Sequence, residues 1–203
     1  MLSFAYKLAL VVFFGLLPLA AEINPATPDS PGYTAMTAQQ RMEWFASSTA
    51  GPQSLTGGLF SAALGTALNS PREYGPHWDG YANRYGMRFS GIATSNAMEA
   101  GLGAIWGEDP RYYRTQGATI KQRIGHVMKS TFATARPDGH YAPSYARFIA
   151  IPGSNFLSNT WRDDSEADAQ HAAMRTVYGF LGYMGGNAFQ EFWPDARKLI
   201  FHH

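Results

Sequence analysis

The first residues whose types and spacing suggest chemistry are two pairs of histidine and aspartate. His77 and Asp79 stand in Pro76-His77-Trp78-Asp79, while Asp168 and His171 lie one helical turn apart. Either pair supplies two ligands of the kind metals use. A zinc site needs three or four converging ligands, usually including several His or Cys. Each pair is isolated, so Asp168 is read as a helix cap and His171 as an exposed or packed side chain. No metal and no other cofactor is expected. The nucleophile and nucleotide patterns fail as well. Gly153-Ser154-Asn155 shares only its Gly-Ser with a nucleophile elbow. Gly101-x-Gly103-x-x-x-Gly107 misses the dinucleotide spacing and falls in a predicted helix.

Charges set among small and apolar residues say more. Glu99 and Arg175 each occupy such a helix, and Arg88 stands eleven positions before Glu99, about three turns away on the same face. A buried glutamate needs a cationic partner, because an unpaired buried charge is expensive. Glu99 is therefore expected to pair with Arg88 or Arg175 across a helix interface, as an interior ion pair fixing helix register. The catalytic alternative places an envelope enzyme's site near Glu99 or His77/Asp79, since perturbed carboxylates also gather at active sites.

The strongest asymmetry lies between Asp109 and Asp138, where Arg111, Arg114, Lys121, Arg123, Lys129 and Arg136 fall with no acid among them. In the helix expected from Ile120, the residues Ile120, Ile124, Val127 and Met128 share a face flanked by Lys121 and Arg123. A basic amphipathic helix of this kind lies on an anionic membrane surface, or serves as a core-facing helix with a solvated basic side. Arg111, Arg114, Lys121, Arg123 and Lys129 are the candidate binding residues for anionic lipid or phosphate.

These residues need helices to position them. Thr37 followed by Gln40 is a capping box that opens a helix over 38–49. Gly51-Pro52 breaks it. From Leu55 to Leu68 bulky and small residues alternate without charge, which reads as a tightly packed core helix. Ser70-Pro71 with Glu73 marks another start, and a long helix follows over about 80–106, closed by Gly107-Glu108-Asp109-Pro110. A helix over 120–132 precedes the Pro137-Asp138-Gly139 turn, and Pro143 and Pro152-Gly153 are expected to interrupt the next apolar stretch. The acids from Asp163 to Asp168 suit the positive end of a last helix dipole. That helix is expected to run to about Gln190, with Pro194 as its breaker. Strict apolar–polar alternation is absent over any useful length.

The expected fold is therefore all-α, a single compact bundle of about five or six helices. Interior glycines cost roughly 1 kcal/mol each against alanine, and close helix–helix approach would offset them. The segments near 55–68, 90–106 and 171–190 share this small-residue habit and are expected to pack on one another.

Composition and the N-terminus bound the rest. A single Lys7, an apolar run over 8–20 and Ala20-Ala21 read as a signal peptide over residues 1–21. An extended linker over 22–36 and a helical domain over 37–203 follow. Without the leader, 15 basic and 15 acidic side chains remain, since Lys7 is one of the chain's 16. That balance argues against nucleic acid as a partner. The chain contains no cysteine, which excludes disulfides and thiolate sites and fits a bacterial envelope, the periplasm or a membrane's periplasmic face.

Glu108-Asp109-Pro110-Arg111-Tyr112-Tyr113-Arg114 and Glu191-Phe192-Trp193-Pro194-Asp195 resemble the motifs of an uncharacterised family of exported bacterial proteins. The resemblance spans about Tyr74 to Asp195. It implies export and a helical fold and carries no activity. The expected function is thus that of a non-catalytic envelope protein, structural or membrane-associated. Its expected partner is an anionic membrane surface or another envelope protein.

Overall fold

A computed structural model describes residues 33–115 and 117–201. The signal peptide expected over 1–21, and the linker as far as residue 32, lie outside the described residues. Six α-helices carry the described chain: α1 (Ala38–Ala50), α2 (Pro52–Ala67), α3 (Trp78–Trp106), α4 (Ile120–Phe132), α5 (Tyr145–Leu157) and α6 (Ala169–Phe201). The fold is all-α apart from one antiparallel hairpin, β1 (Ala133–Ala135) and β2 (Tyr141–Pro143), which pairs Thr134 with Ala142. Three-residue strands are too short to leave a periodic trace in sequence.

Local signals set most boundaries. The Thr37 hydroxyl accepts from Gln40 N at 3.2 Å, and Gln40 Oε1 accepts from Thr37 N at 3.0 Å. Thr119 and Gln122 repeat this capping box at the start of α4. The Asp168 carboxylate accepts from His171 N at 2.7 Å and so caps α6, as the spacing predicts. Two expectations about proline are corrected. Pro152 lies inside α5 and Pro194 inside α6, and neither helix stops there. The Ser70-Pro71-Glu73 start yields only a 3₁₀ turn, Arg72–Tyr74.

The chain, expected as one helical domain, divides into two compact units, Glu43–Ala93 and 33–42 with 94–201. In the first, the buried Arg84 gathers the 66–75 segment. Its guanidinium donates to the carbonyls of Ser70, Pro71 and Gly75 at 2.7–2.8 Å. Small residues of α2, Gly58 and Ala62, are buried, with Gly58 against the Tyr85 ring and Arg88. The bulky residues of α2 face outward instead: Leu59, Phe60 and Leu64 are exposed, as is Leu68 at its C-cap. This overturns the reading of α2 as a core helix with its large side chains inside.

The second unit is built on α6, against which both α4 and α5 pack. Close glycine contacts occur at Gly179, whose added Cβ would stand 2.7 Å from Ile151 Cγ2, and at Gly153 beside Met98. Gly101, Gly182 and Gly185 face open space. Only part of the small-residue habit therefore serves close packing.

Two helical glycines should respond oppositely to the same change. Gly182→Ala should stabilise by about 0.5–1 kcal/mol, the ordinary helix-propensity gain. Gly80→Ala should destabilise despite that gain, because its Cβ would fall 2.2 Å from the Tyr74 carbonyl oxygen and 2.3 Å from that of Gly75. Urea unfolding of both variants checks the pair.

Candidate functional site

The buried side chains of the second unit are mainly polar. Arg147, Glu99, Glu108 and Glu191 are each no more than 2 % exposed, and they organise three linked clusters.

Arg147 is the only charge in α5. Its Nε donates to Glu99 Oε1 at 2.9 Å. Its Nη1 donates to the carbonyls of Ser130 and Thr131, both at 2.8 Å, which belong to the last turn of α4. Those carbonyls have no partner further along the helix, and a cation there also meets the negative end of the dipole. Arg147 Nη2 donates to the Tyr183 hydroxyl at 2.6 Å, and the guanidinium lies 3.8 Å from that ring's centre. Tyr183 in turn donates to the Pro110 carbonyl at 3.0 Å. One side chain thus ties α3, α4, α5 and α6. Burial pushes Glu99 up from the usual carboxylate range, and Arg147 opposes that rise.

Sequence reasoning placed Glu99 correctly as a buried glutamate with a cationic partner and chose the wrong cation. Arg88 donates to the Ser54 carbonyl at 3.1 Å. Arg175 donates to the carbonyls of Glu166 and Asn155 at 2.8 and 3.2 Å. Arg147 carries the same sequence signal as Glu99 and Arg175, a lone charge in an apolar stretch.

Glu108 and Asp109 form the second cluster. The Glu108 carboxylate accepts from Tyr145 N, Ala146 N and the Ser144 hydroxyl at 3.0–3.2 Å. It caps α5 from 36 residues away, at the positive end of the dipole. The Asp109 carboxylate holds Arg111, with Nε at 2.9 Å, and accepts from the Tyr33 and Tyr113 hydroxyls at 3.0 and 2.7 Å. Burial first, and then the charge of Asp109, push both phenols up, so they remain donors.

The third cluster joins the 112–123 stretch to Glu191 and Asp195 of α6. Glu191 accepts from Arg123 Nε at 2.7 Å, the Tyr112 hydroxyl at 2.8 Å and Thr115 N at 3.0 Å. Arg114 and Arg123 also donate to the Glu191 carbonyl, at 2.9 and 2.6 Å, in the turn that Pro194 disturbs. Both arginines pair with Asp195, at 2.8 and 2.6 Å. Hydrogen bonds from Arg123 and then Arg114 hold the Asp195 carboxyl below its usual range.

The candidate binding residues therefore separate. Arg111, Arg114 and Arg123 are each paired with carboxylates of the chain itself. Lys121 and Lys129 are exposed on α4, with Lys129 Nζ 4.1 Å from the centre of the Tyr141 ring.

Chemistry elsewhere is limited. His77 and Asp79 are exposed, and among the described residues no group of three or more His, Asp or Glu side chains is placed to hold a metal ion. His126 Nε2 lies 3.2 Å from the Ser130 hydroxyl and 2.8 Å from the Tyr113 carbonyl. A carbonyl only accepts, so Nε2 carries the proton and is not a base for that serine. The chain matches no family profile, no curated protein and no solved structure in comparisons with known proteins.

Arg147→Met should cost about 3–5 kcal/mol, because it strands a buried carboxylate. Adding Glu99→Gln should recover part of that loss, and a double-mutant cycle in urea measures the coupling. Asp195 makes a separate, pH-dependent contribution. Its folded pKa is depressed, so the stability it adds is present above the unfolded value near 4 and is lost as pH falls through the folded one. Wild type should exceed Asp195→Asn in stability at neutral pH, and the gap should close in acid.

Proposed function

We propose that this protein is a non-catalytic envelope protein that associates with a membrane, its second unit seated in the interfacial layer with apolar helix faces against lipid. One observation carries the reading: the polarity of these helices is inverted. In α5 the buried residues are Ala146, Arg147, Ala150, Ile151 and Ser154, while Tyr145, Phe148, Ile149, Phe156 and Leu157 are exposed. In α6, Ala172, Asn187 and Glu191 are buried, and Met174, Val177, Tyr178 and Leu181 are exposed. In α4, Val127, Ser130 and Thr131 lie inside, while Ile120, Ile124, Met128 and Phe132 lie outside.

The outward residues form continuous faces. In α6 they recur at i, i+3, i+4 and i+7, and no charge falls between Arg175 and Glu191. Phe132, Phe148 and Phe180 meet with ring centres 5.7–6.3 Å apart and join the three helices. Water-soluble monomers rarely expose contiguous apolar surface beyond a few hundred Å². Each such Å² returned to an apolar medium contributes about 25 cal/mol. No helix among the described residues is long and apolar enough to cross a membrane. The reading is therefore of seating in the interface, about 5–10 Å deep, rather than spanning. Export to the envelope rests on the leader pattern over residues 1–21.

The test is flotation of the full chain with phosphatidylcholine vesicles. Binding should persist at about 0.5 M salt, where charge interactions are screened within a few ångströms. Val177→Asp with Leu181→Asp should weaken it roughly tenfold or more while leaving helical content unchanged. A chain that never floats with such vesicles sinks the proposal.

A further inference from the structure

The arginines that sequence singles out are bonded to the chain's own carboxylates, and the lysines of α4 remain exposed where a bilayer would meet them. Ile120, Ile124 and Met128 line the outward stripe of α4, and Lys121 and Lys129 each follow a stripe residue by one position. A step of one residue rotates about 100° around a helix, so both lysines stand on the same flank of the stripe. Both are exposed. A lysine placed there lays its stem along apolar surface and lifts its ammonium to the headgroup level.

Two further exposed cations, Arg197 and Lys198, lie near the end of α6. Arg123, two residues after Lys121, is bonded to Glu191 and Asp195. Lys121, Arg197 and Lys198 therefore sit at the same end of the α4–α6 pair. The exposed acids Asp163, Asp164 and Asp168 stand at or before the start of α6, about 45 Å from Lys198 along the helix. Its ends thus carry opposite charge, with an uncharged apolar face between them.

We infer that the membrane partner is an anionic leaflet, and that its headgroups are met by Lys121, Arg197 and Lys198 at the basic end of α4 and α6, and by Lys129 farther along the same flank of α4. This deepens the proposed function and rests on it. The apolar faces supply contact with any bilayer, and the four cations supply the preference for negative charge and the orientation. The acidic end of α6 is repelled by the same surface and points away from it.

The experiment compares flotation of the full chain with phosphatidylcholine vesicles and with vesicles in which about a third of the lipid is anionic, at low salt. Each cation near an anionic surface contributes a factor of about five, so four of them should make wild type prefer the anionic vesicles by roughly six hundredfold. The variant Lys121→Glu/Lys129→Glu/Arg197→Glu/Lys198→Glu changes only exposed side chains. It should lose the preference and keep its binding to phosphatidylcholine. Equal binding of wild type to both vesicles overturns the inference while leaving the proposed function standing. So does a preference that survives in the variant. Failure of wild type to bind either vesicle overturns both.

Discussion

A guanidinium held at about 1 % exposure sets the terms for the second unit. Arg147 occupies a place where an unpaired charge would cost several kcal/mol, and it is relieved by Glu99, by two carbonyls at the end of α4 and by Tyr183. Each partner comes from a different helix, so α3, α4 and α6 keep their registers relative to α5 or the charge is left stranded. The polar side of each helix is thereby fixed inward. The apolar side of the same helix then has nowhere to go but out.

The 108–115 and 191–195 segments serve the same constraint. The segment 108–115 caps α5 through Glu108, seats Arg111 on Asp109 and passes Tyr112 and Arg114 to the 191–195 turn of α6. Their chemistry is that of a clasp built from charge-assisted hydrogen bonds, which are stronger and more directional than neutral ones. Arginines read from sequence as a basic surface are, in space, half-buried and paired with the chain's own carboxylates. The bilayer reading follows from this inversion, since an apolar exterior is costly in water and favourable against acyl chains.

Helix starts and stops were largely legible because they are encoded locally. The Thr37 capping box, the Gly51-Pro52 break and the Asp168 cap depend on residues within four positions of one another. Proline was misjudged because its effect depends on tertiary partners. In α6, the carbonyl of Glu191 beside Pro194 takes donors from Arg114 and Arg123, which no local reading supplies. The Glu99 partner was missed for a related reason. Helical spacing relates charges on one helix, whereas Arg147 lies 48 residues away on another. Which face of α2, α5 or α6 turns inward was also out of reach. Amphipathic patterning assumes water outside and hydrocarbon inside, and these helices reverse it.

The inversion can be measured directly, because the chain has no cysteine and any introduced one is unique. Spin labels at Val177→Cys and Leu181→Cys, on the outward face of α6, would be read in vesicles by collision with oxygen and with a polar nickel complex. The account predicts ready collision with oxygen, which concentrates in lipid, and little with nickel. Labels that collide mainly with nickel would show that this face meets water, and the account would be wrong.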